Sequence, residues 1–198
     1  YMPREAKLPL PVVVFVHGGS WEEGSKDSYT FAGRALAAQG FLTVVVNYRL
    51  HPEHQYPAFV DDVDLALRWA VDNVKGFGGD PTKIFAMGHS AGAYNVAMAV
   101  LGDRYQEARP KLAGVITLAG PFDFVPLDSP ITIKVFSGIP DLPLTQPINH
   151  VRADAPPFLI LHGEDDKTVF PRNAIALDKA LREAGAVSTL KFYKGVSH

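Results

Sequence analysis

Short apolar runs that alternate with stretches of helical periodicity constrain this chain most strongly. The runs at residues 12–16, 41–47, 83–87, 113–118, 158–161 and 188–193 are predicted to be strands. The stretches at residues 27–39, 57–73, 91–101 and 172–184 are predicted to be helices. Apolar residues recur at helical spacing in the second, small residues dominate the third, and Gly40 and Gly185 close the first and the last. Strands that are apolar on both faces and alternate with helices are typical of a mainly parallel sheet with helices on both faces. The predicted fold class is therefore α/β.

Length and composition indicate one globular unit. The chain has 198 residues, of which 47% are hydrophobic and 20% are charged, and this is enough to bury one substantial core. We expect a single domain over residues 1–198, trimmed at both ends from a longer protein. Residues 121–157 are rich in proline and interrupt the alternation of strands and helices. An irregular insertion of this length is predicted to form a lid or a pocket wall.

Charge and cysteine content exclude several classes of function. The net charge is −2 without a block of like charges, which argues against a nucleic-acid partner or an anionic membrane surface. No apolar run has the length of a membrane span. The chain has no cysteine, so a thiolate nucleophile, a disulfide framework and a cysteine metal site are all excluded. The oligomeric state and the compartment stay open.

The sequence GHSAG at residues 88–92 lies between a predicted strand and a predicted helix. This is the pattern G-x-S-x-G in the context of a nucleophile elbow, a tight turn that pushes a serine hydroxyl out at the carboxyl end of a sheet. Gly88 and Gly92 would leave room for the strained backbone. Ser90 is therefore the candidate nucleophile.

A serine hydroxyl needs a base, and the order of residues along the chain limits the choice. In such sites an acid and then a histidine follow the serine. Residues 164–166, Glu-Asp-Asp, follow the strand predicted at 158–161, and only His198 lies beyond them. His198 is the candidate base, and the acid is one of these three residues. The other six histidines are interpreted as structural, and none has the i, i+4 helical pairing of a zinc motif.

Four segments together resemble the α/β-hydrolase superfamily, and more narrowly the carboxylesterases related to hormone-sensitive lipase and the BD-FAE-type esterases. They are HGGSW at 17–21, NYRLHPEHQYPAFVDD at 47–62, GHSAG at 88–92 and HGEDDKTV at 162–169, in the order that the family has them. The resemblance implies that Asp166, in the pattern H-G-x-x-D-x-x-V, is the acid. It also implies that the backbone amides of Gly19, Ser20 and Ala91 form an oxyanion hole, with Gly18 shaping the loop.

The implied activity is hydrolysis of short-chain carboxylic esters through an acyl-enzyme, with no cofactor and no metal. Trp21 and Phe122 are candidate pocket residues, although the aromatic residues of the insertion are equally compatible with ordinary core packing. The lipase-type oxyanion loop has a third glycine where this chain has Ser20. Two alternatives therefore stay open: an amide hydrolase of the arylformamidase type, and a non-catalytic binding protein with the same fold.

Overall fold

The computed structural model describes residues 1–127 and 129–198. In these residues the strands are β1 (Leu10–Val16), β2 (Leu42–Val46), β3 (Gly79–His89), β4 (Leu112–Leu118), β5 (Phe158–Gly163) and β6 (Ser188–Tyr193). The α-helices are α1 (Thr30–Ala38), α2 (Ala58–Asn73), α3 (Ala91–Leu101), α4 (Pro130–Phe136) and α5 (Arg172–Glu183). Single 3₁₀ turns lie at Val74–Phe77, Arg109–Lys111, Leu142–Thr145 and Pro147–His150.

The strands form one sheet in the order β2-β1-β3-β4-β5-β6, and neighbouring strands are parallel throughout. Val14 of β1, for example, pairs with Val44 of β2 on one side and with Ala86 of β3 on the other. The chain moves outward from β1 to β2 and then returns past β1 to β3. Because crossovers between parallel strands are right-handed, this reversal puts α1 on one face and α2, α3 and α5 on the other. The prediction of a mainly parallel α/β sheet is confirmed.

Helix α3 lies at the centre of the molecule and carries the candidate nucleophile at its start. All eleven of its residues are buried, and it packs against α2, β3 and β4. Its alanines let these neighbours approach closely. At its end the buried guanidinium of Arg109 donates to the carbonyl oxygens of Val100, Gly102 and Tyr105. The bonds to Val100 and Gly102 satisfy carbonyl groups that the helix terminus leaves without partners, and the bond to Tyr105 ties the following loop to the helix end.

The structure differs from the sequence expectations at several element ends. Strand β3 begins at Gly79 rather than at residue 83, because Gly79 pairs with Leu10 before the main register starts at Ile84. Helix α1 begins at Thr30 rather than at residue 27. The residues in front of it form a turn in which the Lys26 amide donates to the side chain of Asn47.

The expectation of an irregular segment at residues 121–157 is wrong in part, because this segment contains α4 and two 3₁₀ turns. The side chain of Ser129 caps α4 by accepting from the Thr132 amide at 3.2 Å, and Pro130 occupies the first helical position. Both are favoured helix-start features. In the part of the chain that the structure describes, none of the helices has the length and apolar character needed to cross a membrane.

Candidate active site

Ser90 lies on the tight turn between β3 and α3. Its φ of 53° and ψ of −122° fall in a region that non-glycine residues rarely adopt. Its amide donates to the carbonyl oxygen of Leu118 at 2.8 Å, which ties the turn to the end of β4. A Cβ atom added at Gly92 would lie 2.3 Å from the carbonyl oxygens of Val16 and His17. The elbow therefore fits against the end of β1 only with a glycine at this position.

Three side chains from the carboxyl ends of β3, β5 and β6 meet at this turn. The Nε2 atom of His198 lies 2.8 Å from Ser90 Oγ, and its Nδ1 atom lies 2.8 Å from Asp166 Oδ2. The second oxygen of Asp166 accepts from the amides of Thr168 and Val169, both at 2.9 Å. With the proton on Nδ1, His198 donates to Asp166 and its Nε2 atom accepts from the Ser90 hydroxyl. This arrangement can move the serine proton onto the imidazole.

The neighbours of Asp166 keep it ionised although its side chain is buried. Burial alone would raise the pKa of this carboxyl group. The hydrogen bond from His198, together with the bonds from the Val169 and Thr168 amides, outweighs that effect and lowers the pKa below its usual value. Glu164 and Asp165 are exposed, and their backbone amides donate to the carbonyl oxygens of Tyr193 and Val196. Those two bonds hold the acid loop against the loop that carries His198.

The loop after β1 turns sharply beside the elbow. Gly19 has a φ of +124°, and its carbonyl oxygen accepts from the amides of Glu22 and Glu23. A Cβ atom at Gly19 would lie 2.0 Å from the carbonyl oxygen of Glu23, so the turn requires glycine. Gly18 packs against the side chains of Ser90 and His89. The next two residues, Ser20 and Trp21, have φ values of 54° and 61°.

A pocket of about 150 Å³ opens beside Ser90. Two of the three predicted oxyanion-hole residues, Ser20 and Ala91, line it together with Trp21. Its other lining residues come from the insertion, the acid loop and α5: Pro121, Phe124, Ser129, Ile131, Thr132, Thr168, Val169, Phe170, Arg172 and Asn173.

Of the two interpretations left open for Phe122, pocket wall and core packing, the structure supports core packing. Its side chain is fully buried in the core, and its backbone is fixed from the other side. The Asn173 side chain on α5 accepts from the amides of Phe122 and Asp123, both at 2.9 Å. The aromatic side chains that line the pocket with Trp21 are instead those of Phe124 and Phe170.

Four of the other histidines, His17, His51, His150 and His162, make contacts that hold loops around the site. His17 donates from Nδ1 to the Gly18 carbonyl oxygen at 2.7 Å and stacks on Tyr48. His162 lies under the acid loop, where its Nε2 atom donates to the Val169 carbonyl oxygen at 2.8 Å. His51 lies 3.4 Å from Glu22, and His150 donates to the Leu144 carbonyl oxygen. His54 is exposed.

His89 lies closer to the site than the sequence suggested. Its ring lies 5.1 Å from the ring of His198, centroid to centroid, and its Nδ1 atom lies 3.1 Å from the Tyr29 hydroxyl. Burial, with a smaller contribution from His198, lowers the pKa of His89 to about 4. It therefore stays neutral beside His198 at neutral pH.

Sequence reasoning missed two buried asparagines that support the site, Asn95 and Asn173. Asn95 is completely buried on α3 and accepts from the Trp21 indole N–H at 3.0 Å. A signal was present for this residue, because it is the one amide side chain in the otherwise apolar run of residues 91–101. Its partner, however, lies 74 positions away in the chain, beyond the reach of any local pattern.

A parallel sheet with a serine elbow and a histidine and an aspartate at the same edge defines the class of α/β-hydrolases. A model of the family described as BD-FAE matches residues 1–181, and the chain belongs to this family. The solved structure of Thermogutta terrifontis esterase 2 phosphoramylated by tabun superposes on it with a TM-score of 0.82. That structure is 25% identical, and the match covers all of this chain and 77% of the esterase.

Curated relatives carry esterase names. The chain is 29% identical to the probable isoprenylcysteine alpha-carbonyl methylesterase ICME of Oryza sativa subsp. japonica, with all of this chain and 54% of the relative aligned. It is 32% identical to esterase LipC of Mycobacterium tuberculosis, with 88% of this chain and 49% of the relative aligned. The chain thus spans about half the length of these two relatives.

Proposed function

We propose that this chain is the catalytic part of a carboxylesterase, a serine hydrolase that cleaves short-chain esters through an acyl-enzyme. One observation carries the proposal: Ser90 Oγ, His198 and Asp166 are joined by two hydrogen bonds of 2.8 Å at the rim of a pocket. The esterase names of the relatives LipC and ICME support the same class of reaction.

In the first half of the reaction, Ser90 Oγ attacks the ester carbonyl carbon while His198 Nε2 takes the hydroxyl proton. The carbonyl π bond becomes an oxyanion on the tetrahedral carbon. Asp166 stabilises the imidazolium through the Nδ1 hydrogen bond and stays ionised. When the tetrahedral intermediate collapses, the bond to the alcohol oxygen breaks, and His198 returns its proton to that oxygen. The products of this half are the free alcohol and an ester of Ser90.

In the second half, water takes the place of the serine. His198 removes a proton from water, and the resulting hydroxide attacks the acyl carbon. Collapse of the second tetrahedral intermediate releases the carboxylic acid and returns the proton to Ser90 Oγ. Every proton removed is returned within the cycle, so the reaction needs no redox partner and no cofactor.

The oxyanion is stabilised by backbone amides on two sides of Ser90. Ala91 supplies one at the positive end of α3, and the loop after β1 supplies the others from Ser20 and Gly19. Such donors are effective because they are already oriented before charge develops. Removing one typically costs about 3–4 kcal/mol of transition-state stabilisation.

The size of the pocket favours small acyl groups. The pocket volume of about 150 Å³ is roughly that of a cavity that holds one benzene ring. Buried Trp21 and Phe124 close one side, and their rings cannot move aside without disturbing the core. We expect acetate to butyrate esters to fit and long acyl chains to be excluded.

The test compares Ser90→Ala with the parent on p-nitrophenyl acetate. We expect kcat to fall by more than a thousandfold without a change in the far-UV circular dichroism spectrum, because the nucleophile is lost and the fold is kept. Ser137→Ala changes an exposed serine and serves as the matched control. Ser90→Ala activity within tenfold of the parent would remove Ser90 from the mechanism.

A panel of p-nitrophenyl esters from acetate to palmitate, with N-formylkynurenine alongside, tests the substrate class. We expect kcat/KM to fall steeply beyond butyrate, because the pocket is small. Activity that rises with chain length would contradict this argument. Faster turnover of the formamide than of every ester would assign the same three residues to amide hydrolysis, and a folded parent inactive on the whole panel would refute the proposal.

A further inference from the structure

The loop after β1 has an unfavourable backbone conformation that its surroundings must hold in place. Ser20 and Trp21 are consecutive non-glycine residues with positive φ. Such conformations are unfavourable for residues with a Cβ atom and persist only where surrounding contacts enforce them. The backbone bonds to Gly19 fix the start of the turn, and the His51 amide donates to the Trp21 carbonyl oxygen at 2.8 Å. Contacts of the Trp21 side chain hold the loop against α3.

The indole of Trp21 is anchored in the core. It is 2% exposed, and its ring meets those of Tyr94 and Phe136 edge-on at centroid distances of 5.2 and 5.1 Å. These contacts leave one polar group, the indole N–H, to be satisfied. It donates to Asn95 Oδ1 at 3.0 Å. Asn95 is fully buried on α3, so neither partner has water as a ready substitute.

We propose that Asn95 is a positioning residue for the reaction, because its bond to the Trp21 indole holds the amide-bearing loop after β1 in register with the helix that carries Ser90. The proposal rests on the esterase function proposed above. It adds a role for a residue that does not line the pocket.

The position of Asn95 explains why this bond bears on catalysis. Helix α3 supplies the Ala91 amide at its first residue and Asn95 one turn later, and both therefore move with the elbow. The loop after β1 supplies the Ser20 amide, next to Trp21. The bond between Trp21 and Asn95 thus fixes the separation of the two groups of oxyanion donors. Displacing a positioned group by about 1 Å costs on the order of a hundredfold in rate.

The oxyanion-hole amides act in the transition state, and this determines which kinetic constants should change. The oxyanion exists in the transition state and not in the bound ester. Loosening the loop therefore lowers kcat and kcat/KM together and leaves KM nearly unchanged. A residue that only stabilised the fold would lower the unfolding midpoint and leave kcat intact at temperatures well below that midpoint.

The experiment compares Asn95→Leu with Asn95→Asp on p-nitrophenyl acetate at 20 °C, beside urea unfolding of each variant. The three side chains have nearly the same shape. Leucine lacks the acceptor, whereas aspartic acid, which full burial keeps protonated at this position, retains a carbonyl oxygen for the indole N–H. We expect Asn95→Leu to lose at least tenfold in kcat with KM within threefold of the parent, and Asn95→Asp to stay within threefold in kcat. Thr43→Val, a buried polar-to-apolar change on β2, is the matched control.

Trp21→Phe keeps the aromatic ring, removes the donor and replaces Asn95→Leu if that variant does not fold. Its kcat should fall as far as that of Asn95→Leu. The double variant with both changes should have a kcat only slightly lower than either single variant. The inference is overturned if Asn95→Leu keeps kcat within threefold, if its effect lies in KM, or if Asn95→Asp is equally impaired. An inactive parent would instead overturn the esterase proposal, which keeps the two failures distinguishable.

Discussion

Replacing Asp166 by asparagine changes one atom and should remove most of the activity. The side chain has two groups of partners in the structure. One oxygen accepts from the Thr168 and Val169 amides at 2.9 Å each, and the other accepts from His198 Nδ1 at 2.8 Å. Asparagine has only one oxygen, so it can serve one of these groups and must present its NH₂ to the other.

The N–H donors that face the side chain decide which way the amide group of asparagine is turned. With its oxygen towards His198, asparagine would point its NH₂ at two backbone N–H groups that cannot move away. With its oxygen towards those amides, the NH₂ faces His198 Nδ1 and the ring of His162, whose Nε2 atom lies 3.3 Å from the present Oδ2. Each orientation places the NH₂ group against two donors, but in the second orientation His198 can remove its own conflict by changing tautomer, whereas the backbone amides cannot. The proton then sits on Nε2 and points at Ser90 Oγ, where a base is needed.

The expected loss is about 10⁴-fold in kcat, the size reported for the equivalent change in the chymotrypsin-type triad, or roughly 5.5 kcal/mol of activation free energy. The assay is p-nitrophenyl acetate hydrolysis between pH 7 and 9, with urea unfolding to show that the variant is folded. Asp165→Asn, next to it and exposed, should keep kcat within threefold. Asp166→Asn activity within tenfold of the parent, or a larger loss in Asp165→Asn, would refute the assignment of the acid.

Two further predictions concern stability. Because burial lowers the pKa of His89 to about 4, the unfolded chain binds a proton at higher pH than the folded chain, so this histidine costs stability as pH falls from about 6.5 towards 4. His89→Gln should therefore reduce the loss of unfolding free energy between pH 7 and 5 measured in urea, and an unchanged pH dependence would contradict this. Asp166, whose folded pKa is also lowered, contributes stability that is lost only at still lower pH. Arg109→Leu should lower the free energy of unfolding by roughly 3 kcal/mol, since it strips charged donors from several carbonyl groups at the end of α3. Exposed Arg104→Leu should cost about 0–1 kcal/mol, and equal effects of the two changes would show that the buried bonds contribute little.

The sequence predicted the parts of the fold that local patterns encode. The bounds of α3 and β6 agree with the structure residue for residue, because the serine turn and Gly102 mark the ends of α3 and glycines lie on both sides of β6. The early start of β3 was missed because residues 79–82, Gly-Asp-Pro-Thr, have turn composition and pair only through a single bridge to Leu10. Helix α4 was missed because the prolines around it outweighed the Ser129–Pro130 start signal.

In the candidate site, the serine motif and chain order were enough to choose Ser90 and His198, and the resemblance to the esterase family singled out Asp166. The structure links the three by hydrogen bonds through His198. The bond between Trp21 and Asn95 could not be found in this way. It depends on the tertiary packing of α3 against the end of β1, and the sequence around an asparagine in an apolar helix does not identify the residue to which its side chain bonds. The same limit applies to Phe122, since aromatic residues of cores and pockets are alike in sequence.

The separation of the site residues along the chain has a consequence for folding. Ser90 and His198 are 108 positions apart, and His198 follows β6, which among the described residues lies at the edge of the sheet beside β5. The complete site therefore exists only when β4, β5 and β6 are all joined to β3. Conversely, an edge strand opens locally at a lower cost than the whole domain. Hydrolytic activity would then report on the closure of the sheet edge, and it should disappear at urea concentrations that leave the helical signal intact.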